Sequence, residues 1–536
     1  MAQNRAEGMR VAEQAGAGQP IAVAEAAVTA FVGRTLRGPV NRPVTISSFA
    51  DFEATFGGLW QPSMLSYAVE QYFDNGGRTA VVVRVINGGR APTISLPGPG
   101  RPLKLIARSP GTREYLRAAV DYDGLRPADG RSFNLTLQRL RAAGSEHVED
   151  QEIFRQVSVD PASPRFVETL LADSALARVE GRVPAERPLP TAQGDGYVAS
   201  SPDGHDGGVL TDYDLIGSAT DRTGLFALAD VEEFNFLCLP PLSRTQPVGP
   251  SALMVAGRYC RQRQALLLLD PPAEWSDAER AIAGVRDLPV RGEDSLMYFP
   301  RLLAYDRLKG RFEPFAPSAA AAGMLARLDS QGAKWGPRDD HDAALRPGLR
   351  PLVTVDEAAR ARLASAGINV LQSVRARTPV AARTLAGRQG SDPDWCFLAT
   401  KRFALLLANS IERGTRWSLF HRGSPAVWAR LARQVGEFFT RLEDEGRLAG
   451  GGREGPAWFV LCDERLNARG APGARLVYGF AGRRPRQFHA FIVSHGQGES
   501  SVRPVTLNRL FPRGTFAPEA IDVGGLPPPA GASGPV

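Results

Sequence analysis

The stretch Ala80-Val-Val-Val-Arg-Val85 decides the fold class of this chain. A nearly continuous β-branched run is typical of a strand that is covered on both faces of a sheet. The run follows a segment, Leu65 to Tyr72, in which apolar residues recur at i, i+3, i+4 and i+7, and the Gly76-Gly77 pair ends that predicted helix. A second apolar strand, Val28 to Val32, precedes the helix. Strand, helix and strand in this order predict an α/β unit.

The same alternation recurs in the middle of the chain. Phe234-Asn-Phe-Leu-Cys-Leu239 and Leu266-Leu-Leu-Leu269 are apolar runs that each end just before a pair of prolines or an Asp-Pro-Pro sequence. Between them we predict a helix from Ala252 to Gln264, with Ser251 as its N-cap. These elements extend the prediction to a parallel or mixed sheet.

Two helices dominate the last third. The first is predicted from Asp394 to Arg413, is stopped by Gly414, and is followed by a predicted strand, Trp417 to Phe420. The second has Ser424 as its N-cap and proline at its first position, and it continues to Gly446.

Strands and turns account for much of the remaining chain. Trp458 to Cys462 and Phe488 to Val493 are predicted strands, and the sequence beyond Gly496 is rich in Gly and Pro and predicts an extended tail. From Ala91 to Asp203, short alternating stretches are separated by turn residues, which predicts a β-rich insertion.

These patterns predict an α/β fold, an α+β mixed-sheet core, with a β-rich inserted outer domain and extended N- and C-terminal arms. The predicted divisions are an N-terminal arm (1–27), the first part of the core (28–90), the inserted outer domain (91–203), the second part of the core (204–365), a C-terminal α/β domain with a linking strand (366–495) and a Gly/Pro-rich tail (496–536).

Composition narrows the function classes. The 536 residues are 43% hydrophobic and 23% charged, which excludes disorder throughout the chain. No apolar run approaches the roughly 20 residues of a membrane-spanning helix, and Met1 to Gln19 lacks the apolar stretch of a signal peptide. We therefore expect synthesis in the cytoplasm and no membrane insertion.

Charge and cysteine usage argue against a nucleic-acid-binding protein and against a disulfide-bonded or zinc-binding one. The net charge is +7, and only four of the 64 basic residues are lysines. The arginines are scattered among carboxylates rather than clustered with aromatic residues, which argues against direct nucleic-acid binding. The four cysteines are far apart and form no CxxC pair, so we expect reduced core residues rather than disulfides or a zinc site.

No catalytic, cofactor-binding or metal-binding constellation emerges from the sequence. GxxxxGK[ST], GxSxG and HExxH motifs are all missing. Two acidic clusters, Asp203-Gly-His-Asp206 and Asp339-Asp-His-Asp342, have oxygen ligands of the kind that calcium or magnesium binds, but solvated loops have the same composition. Asp270 and Asp463-Glu464 follow apolar strands, where open α/β sheets often bind ligands, although a simple strand exit explains them as well.

An ordered series of segments carries a resemblance to a known family. Near the N-terminus these segments are Thr29 to Val44, Phe52 to Gly58 and Tyr67 to Val85. Further along they are Val157 to Arg165, Phe234 to Pro241, Tyr259 to Trp275, Ala366 to Leu371, Ala382 to Leu385, Asp392 to Trp395, Ser410 to Trp417, Trp428 to Val435 and Phe459 to Asp463. Over roughly residues 10 to 495, the chain resembles the contractile tail sheath family.

The resemblance implies a structural subunit rather than an enzyme. Such a subunit polymerises helically around an inner tube and contracts without nucleotide to drive the tube through a target envelope. The implied partners are further copies of the chain, the inner tube protein, and baseplate and terminal cap proteins, with no cofactor. The implied location is a phage tail or a phage-tail-like injection particle.

The resemblance also implies two kinds of contact residue. An N-terminal arm within Met9 to Ala27 and a C-terminal strand would each add to a neighbour's sheet. The linking strand comprises Phe488, His489, Ala490, Phe491, Ile492 and Val493. Tube attachment is implied in the region of the helix Asp394 to Arg413, where we assign Lys401, Arg402, Leu405, Asn409 and Arg413 to a basic face that suits an acidic tube.

Alternatives remain open at this point. Phe488 to Val493 is also compatible with an ordinary intramolecular strand, and the basic helix face with a merely solvated surface. A non-contractile sheath-like cap or baseplate component is the second function class, and an α/β enzyme that uses a strand-end carboxylate such as Asp270 is the third.

Overall fold

The computed structural model describes most of the chain, and the description is confined to residues 19–126, 130–191, 196–331, 336, 344–373, 381–387, 393–448, 450, 455–496 and 498–506. The first 18 residues of the predicted N-terminal arm and residues 507–536 of the predicted tail lie outside the described residues. None of the described helices is long and apolar enough to cross a membrane.

The chain divides into two compact units, which we call unit A and unit B. Unit A consists of Thr29–Ala256 and Leu303–Gly323, and unit B consists of the described parts of Met1–Val28, Gly257–Leu302 and Met324–Val536.

The strands are β1 (Thr29–Gly33), β2 (Val44–Ile46), β3 (Ala80–Arg84), β4 (Thr93–Leu96), β5 (Leu103–Ala107), β6 (Tyr115–Asp121), β7 (Ser132–Leu140), β8 (Val148–Ser158), β9 (Ala177–Val179), β10 (Val198–Ala199), β11 (Phe236–Cys238), β12 (Leu266–Leu269), β13 (Ser295–Phe299), β14 (Leu302–Asp306), β15 (Arg311–Phe315), β16 (Arg350–Pro351), β17 (Ile368–Val370), β18 (Trp458–Leu461), β19 (Ala474–Ala481), β20 (Phe488–Gly496) and β21 (Glu499–Val505).

The α-helices are α1 (Phe49–Phe56), α2 (Met64–Asp74), α3 (Val167–Leu171), α4 (Asp212–Ile216), α5 (Pro250–Gln262), α6 (Ala278–Gly284), α7 (Ser318–Gln331), α8 (Glu357–Ser365), α9 (Leu398–Thr415) and α10 (Pro425–Asp444). Short 3-10 helices occupy Gly224–Asp230, Val285–Asp287, Pro393–Cys396 and Arg416–Phe420.

Neighbouring strands at the centre of unit A run in the order β11-β1-β3-β2. β1 pairs in parallel with β3 and β11, and β2 pairs antiparallel with β3. Every residue of β1 and β3 is buried, as expected for strands covered on both faces. Helix α2 begins after Ser63, whose hydroxyl accepts a hydrogen bond from the backbone N–H of Ser66, and Gly76 takes a left-handed φ of 107° after its end. The predicted α/β fold class is confirmed.

Residues 93–199 of unit A form two antiparallel sheets, in the strand orders β10-β6-β7-β8 and β4-β5-β9. Their buried side chains form one hydrophobic cluster that includes Leu105, Leu116 and Phe133. Strands β5, β6 and β7 match the alternating stretches that the sequence predicts at Lys104 to Ala107, Leu116 to Tyr122 and Phe133 to Leu140. Strand β8 was not predicted, because most of its residues are polar and solvent-accessible and its sequence shows no alternation of apolar and polar residues.

Unit B contains three neighbouring parallel strands in the order β12-β13-β17. All residues of β12 and β13 are buried, which confirms the apolar run Leu266–Leu269 as an interior strand. Each of the four cysteines is buried, and each lies outside any disulfide.

One predicted helix start is wrong. Helix α5 begins at Pro250, and its first turn is capped by a distant side chain of unit A rather than by Ser251. The carboxylate of Asp212 accepts hydrogen bonds from the backbone N–H groups of Gly249 (2.8 Å) and Ala252 (3.1 Å). A cap supplied from 37 and 40 residues away leaves no local signal.

The last part of unit B packs α9 and α10 against a four-stranded antiparallel sheet. Helix α10 begins as predicted, with Ser424 accepting from the N–H of Val427 and proline in the first turn. The predicted strand Trp417 to Phe420 is wrong, because Arg416–Phe420 is a 3-10 helix that continues directly from α9. The indole N–H of Trp417 is held by Gln434 Oε1 at 2.9 Å, which fixes this turn against α10.

Candidate functional site

The predicted linking strand lies inside the C-terminal sheet of unit B. The sheet order is β18-β19-β20-β21, and Phe488 to Val493 form most of β20. One edge of β20 pairs with β19 from Ala481↔Phe488 to Ala474↔His495, and the other edge pairs with β21 from Ala490↔Val505 to Gly496↔Glu499. Both edges of the strand are therefore occupied by the same chain.

This arrangement bears on two expectations. Glu499–Val505, at the start of the predicted extended tail, forms the strand β21. From Ala490 to Val493, the predicted linking strand pairs with β21 of the same chain on the edge opposite β19. A linking role between subunits stays a prediction, and it requires either release of β21 or use of an outer strand. Within the described residues, the outer strands are β18 and β21.

Two buried histidines lie on β20. His489 Nε2 is 3.2 Å from the carboxylate of Asp394, and its ring packs against Trp395 with the centroids 4.3 Å apart. His495 contacts Thr415 Oγ1 through Nε2 (2.7 Å) and the Ser500 hydroxyl through Nδ1.

His495 is neutral in this setting. The Thr415 hydroxyl donates to the carbonyl of Ile411 (2.6 Å), so Nε2 is the donor toward Thr415 and Nδ1 accepts from Ser500. Burial lowers the pKa of His495 to about 4. These contacts connect β20, β21 and the end of α9, and they give the histidine a structural role.

Helix α9 is almost entirely interior. Fifteen of its 18 residues are buried, and the assigned residues Lys401, Arg402 and Leu405 are only 7%, 5% and 8% exposed. Asn409 and Arg413 are partly exposed. The predicted basic outer face is therefore wrong for three of its five residues.

Partners within unit B explain why two cations are buried. Lys401 Nζ lies 2.6 Å from Asp294 Oδ1 and 3.3 Å from Glu293 Oε1. Arg402 pairs with Asp329 and also donates to the backbone carbonyl of Ala26 at 3.0 Å. Paired charges of this kind are tolerated in an interior, whereas unpaired ones are not. These carboxylates lie far from α9 in sequence, so helical spacing alone could not reveal them.

Helix α10 has the exposed face that α9 lacks. We call this face, made up of Ala426, Arg430, Arg433, Glu437 and Thr440, the α10 outer face; each of the five residues is solvent-exposed. Sequence reasoning missed it, although a signal exists: the five positions fall between the apolar stripe residues at spacings of three and four.

Exposed groups continue into the turn before α10. Phe420 is 71% exposed, and Arg422 is also exposed. The guanidinium of Arg430 lies 5.3 Å from the Trp417 ring, a cation–π contact that limits its motion. The segment thus offers arginines and one exposed aromatic ring to a partner.

The strand-end and acidic candidates have other partners. Asp203 lies 3.6 Å from Arg90 Nε, and Asp206 accepts hydrogen bonds from the Thr112 backbone N–H (2.8 Å) and hydroxyl (2.7 Å). Asp463 pairs with Arg465 at 2.5 Å. The cluster Asp339 to Asp342 lies outside the described residues, and Asp270 directly follows β12. In the part of the chain that the structure describes, no group of three or more His, Cys, Asp or Glu side chains could hold a metal ion.

Unit A contains a polar cleft of about 1150 Å³, lined by charges of both signs. Two of its arginines are paired, Arg37 with Glu149 (2.5 Å) and Arg139 with Glu114 (2.9 Å). Burial lowers the pKa of a third, Arg108, and two neighbouring arginines lower it further. The paired charges tie the cleft walls together, and they do not form a recognisable catalytic arrangement.

Solved structures of sheath proteins share the fold of this chain. The sheath complex of the extracellular contractile injection system PVC, in its contracted state, is 14% identical, covers 91% of this chain and 97% of its own, and has a TM-score of 0.51. The sheath tail protein from Listeria innocua is 11% identical, with coverages of 91% and 96% and a TM-score of 0.53. The contracted helical sheath of the anti-feeding prophage is 17% identical, with coverages of 91% and 98% and a TM-score of 0.50.

The expected resemblance is thus confirmed at the level of the fold, over nearly the full length of both chains in each comparison. No protein-family model and no curated protein matches the sequence.

Proposed function

We propose that this chain is the subunit of a contractile sheath that polymerises helically around an inner tube. The single observation that carries the proposal is the fold shared with three sheath proteins across 91% of this chain and at least 96% of theirs. Agreement over 91% of this chain supports a sheath subunit more strongly than agreement over one shared domain would.

The proposed subunit is a structural protein rather than an enzyme. Its partners are further copies of itself, the tube protein, and baseplate and cap proteins of a phage tail or phage-tail-like particle assembled in the cytoplasm. Contraction uses no nucleotide, because the energy is stored in the metastable packing of the assembled subunits. Residues 91–203 form the outer domain in this proposal, and strand addition through the terminal segments links the subunits.

We place tube attachment on the α10 outer face. The proposal rests on exposure: Arg430 and Arg433 are solvent-exposed, whereas Lys401 and Arg402 of α9 are buried and paired with carboxylates of unit B. An acidic tube surface would attract these arginines, and the attraction would weaken as salt rises. A contact of this kind is weak enough to release during contraction.

Electron microscopy of the purified full-length chain, alone and after co-expression with its tube protein, tests the proposal. We expect long hollow tubes or stacked rings. Discrete particles of fixed size would instead favour a cap or baseplate component and would contradict the proposal.

A further inference from the structure

Residues 19–27 lie along helices α9 and α10 without forming a helix or a strand of their own. Ile21 is only 1% exposed and belongs to the hydrophobic core of these helices, and Ala24 and Ala26 pack against the same core. Ala22, Val23 and Glu25 are exposed. One side chain of the segment is therefore deeply buried, while most of the others face solvent.

Side chains of α9 and α10 hold the backbone of this segment. The first two contacts along the segment come from α10 and the last two from α9; three of them reach backbone carbonyls and one a backbone N–H. They are Gln434 Nε2 to Gln19 O (2.7 Å), Arg441 Nη2 to Ile21 O, Ala24 N to Ser410 Oγ (2.9 Å) and Arg402 Nη2 to Ala26 O (3.0 Å).

These side chains are oriented by contacts that do not involve the segment. The Gln434 amide accepts from the Trp417 indole (2.9 Å) and donates to the carbonyl of Gly414 (3.2 Å). The Ser410 hydroxyl donates to Leu406 O (2.7 Å), which leaves its oxygen free to accept from Ala24 N. Arg402 is fixed by Asp329. The groove is therefore organised in advance for an extended backbone.

A glycine provides the space for the one buried side chain. A Cβ added at Gly414 of α9 would lie 2.8 Å from Ile21 Cγ1, which is too close for any side chain. Gly414 has no left-handed φ in this helix, so its backbone does not require glycine. The close approach of Ile21 is what excludes larger residues.

We propose that the groove between α9 and α10 is a peptide-binding site that recognises an extended segment by its backbone and by a single isoleucine, with residues 19–26 as its resident ligand. The site holds its ligand as a separable element rather than as part of the helical core. Its use as an anchor for the N-terminal arm in a polymer rests on the proposed sheath function, but the binding itself does not.

The test uses the full-length chain with the resident segment displaced. Ile21→Asp puts a carboxylate into the apolar notch and should release residues 19–26, whereas Val23→Asp changes a residue that is 44% exposed on the same segment. Hydrogen exchange by mass spectrometry should show exchange of the Ala24 amide, whose N–H donates to Ser410 Oγ, rising about tenfold or more in Ile21→Asp and changing little in Val23→Asp. Exchange in α9 and α10 should stay slow in both variants.

A labelled peptide of residues 19–27 then probes the vacated groove by fluorescence anisotropy. We expect saturable binding to Ile21→Asp, no binding to the wild-type chain, whose groove is occupied, and no binding when Gly414→Val blocks the notch in the Ile21→Asp background. The same peptide with Asp in place of Ile21 should not bind.

Several results would overturn the proposal. Unchanged exchange of the Ala24 amide in Ile21→Asp would show that the isoleucine does not hold the segment. Failure of the peptide to bind a folded Ile21→Asp chain would show that the groove is not a binding site. If Ile21→Asp unfolds α9 and α10, the segment is not separable from the core and the proposal is wrong. In that case Gly414→Ala, a milder change at the notch, should also raise amide exchange in the two helices. All these readouts are independent of polymer formation.

Discussion

Helices α9 and α10 of unit B are consecutive and both carry basic residues, but two of these residues are buried on α9, whereas two are exposed on α10. On α9, Lys401 and Arg402 are buried and paired with Asp294 and Asp329. On α10, Arg430 and Arg433 are exposed. A basic residue next to an apolar stripe is therefore evidence of an exposed helix face only where no carboxylate from a distant part of the sequence pairs with it.

The environments differ because α9 is covered on more sides. It packs with α10 and the C-terminal sheet in one core, and residues 19–26 lie on it as well. Helix α10 keeps one face open along its length, with 9 of its 20 residues buried. The predictions below test whether this contrast in burial governs stability and binding.

Removing the more deeply buried of the two α9 cations should have the largest effect. Arg402→Ala leaves the largely buried Asp329 carboxylate without this partner and also removes the contact to Ala26 O, so we expect the unfolding free energy to fall by about 3–5 kcal/mol. Urea denaturation followed by circular dichroism measures the change. Arg433→Ala on the α10 outer face is the matched control and should change stability by about 0.5 kcal/mol or less. Equal losses of unfolding free energy in Arg402→Ala and Arg433→Ala would contradict the difference in burial between α9 and α10.

Protonation of His495, which lies on β20 and contacts Thr415 at the end of α9, should have the next largest effect on stability. Its folded-state pKa is about 4, below the ordinary value of 6.5, because burial penalises the charged form. The stability that neutral His495 contributes is therefore fully present above pH 6.5 and is lost as the pH falls toward 4. The loss should amount to about 3 kcal/mol.

The difference in unfolding free energy between the wild-type chain and His495→Gln, measured at several pH values, isolates this effect from other titrating groups. We expect the wild-type advantage to shrink as the pH falls from 6.5 to 4. A constant difference across that range would show that His495 titrates like a solvated imidazole.

Lys401→Met should be milder than Arg402→Ala. Asp294 keeps a second cation, since Arg261 Nε lies 2.9 Å from its other carboxylate oxygen. We therefore expect a loss of about 1–3 kcal/mol in the same denaturation assay. Lys309→Met removes a more exposed lysine, paired with Glu313 at 3.3 Å, and should cost about 1 kcal/mol or less. A larger loss at Lys309 would contradict the ranking by burial.

Charge reversal on the α10 outer face should barely affect stability, by about 0.5 kcal/mol or less for Arg433→Glu. Its effect should appear in binding, because the proposed tube contact depends on this charge. Co-sedimentation with the tube protein over a salt series should show weaker binding than wild type at low salt and a smaller salt dependence. Arg286→Glu, which alters another exposed arginine of unit B, serves as the control and should bind like wild type. Normal tube binding by Arg433→Glu would contradict the placement of the tube-attachment surface on α10.

Much of the fold could be predicted because its signals are local. The strand β3, the helix α2 and the start of α10 at Ser424-Pro425 follow from runs, periods and caps within a few residues. Strand β21 could not be predicted, since its residues are mostly polar and its order comes from pairing with β20.

The candidate site was harder to predict for the same physical reason. Whether Lys401 faces solvent is decided by Asp294, more than a hundred residues away, and the cover over α9 comes from residues 19–26. Helical spacing separates the apolar and the basic side of α9, but it contains no information about what packs on each side.

The most direct test of the account is a cryo-electron microscopy reconstruction of the chain assembled on its tube. We predict a helical sheath in which Arg430 and Arg433 of α10 lie within ion-pair distance, about 4 Å, of acidic side chains of the tube, while Lys401 and Arg402 keep their partners within the subunit. A sheath in which α10 faces away from the tube, or in which α9 opens to present Lys401 and Arg402 to it, would contradict the account.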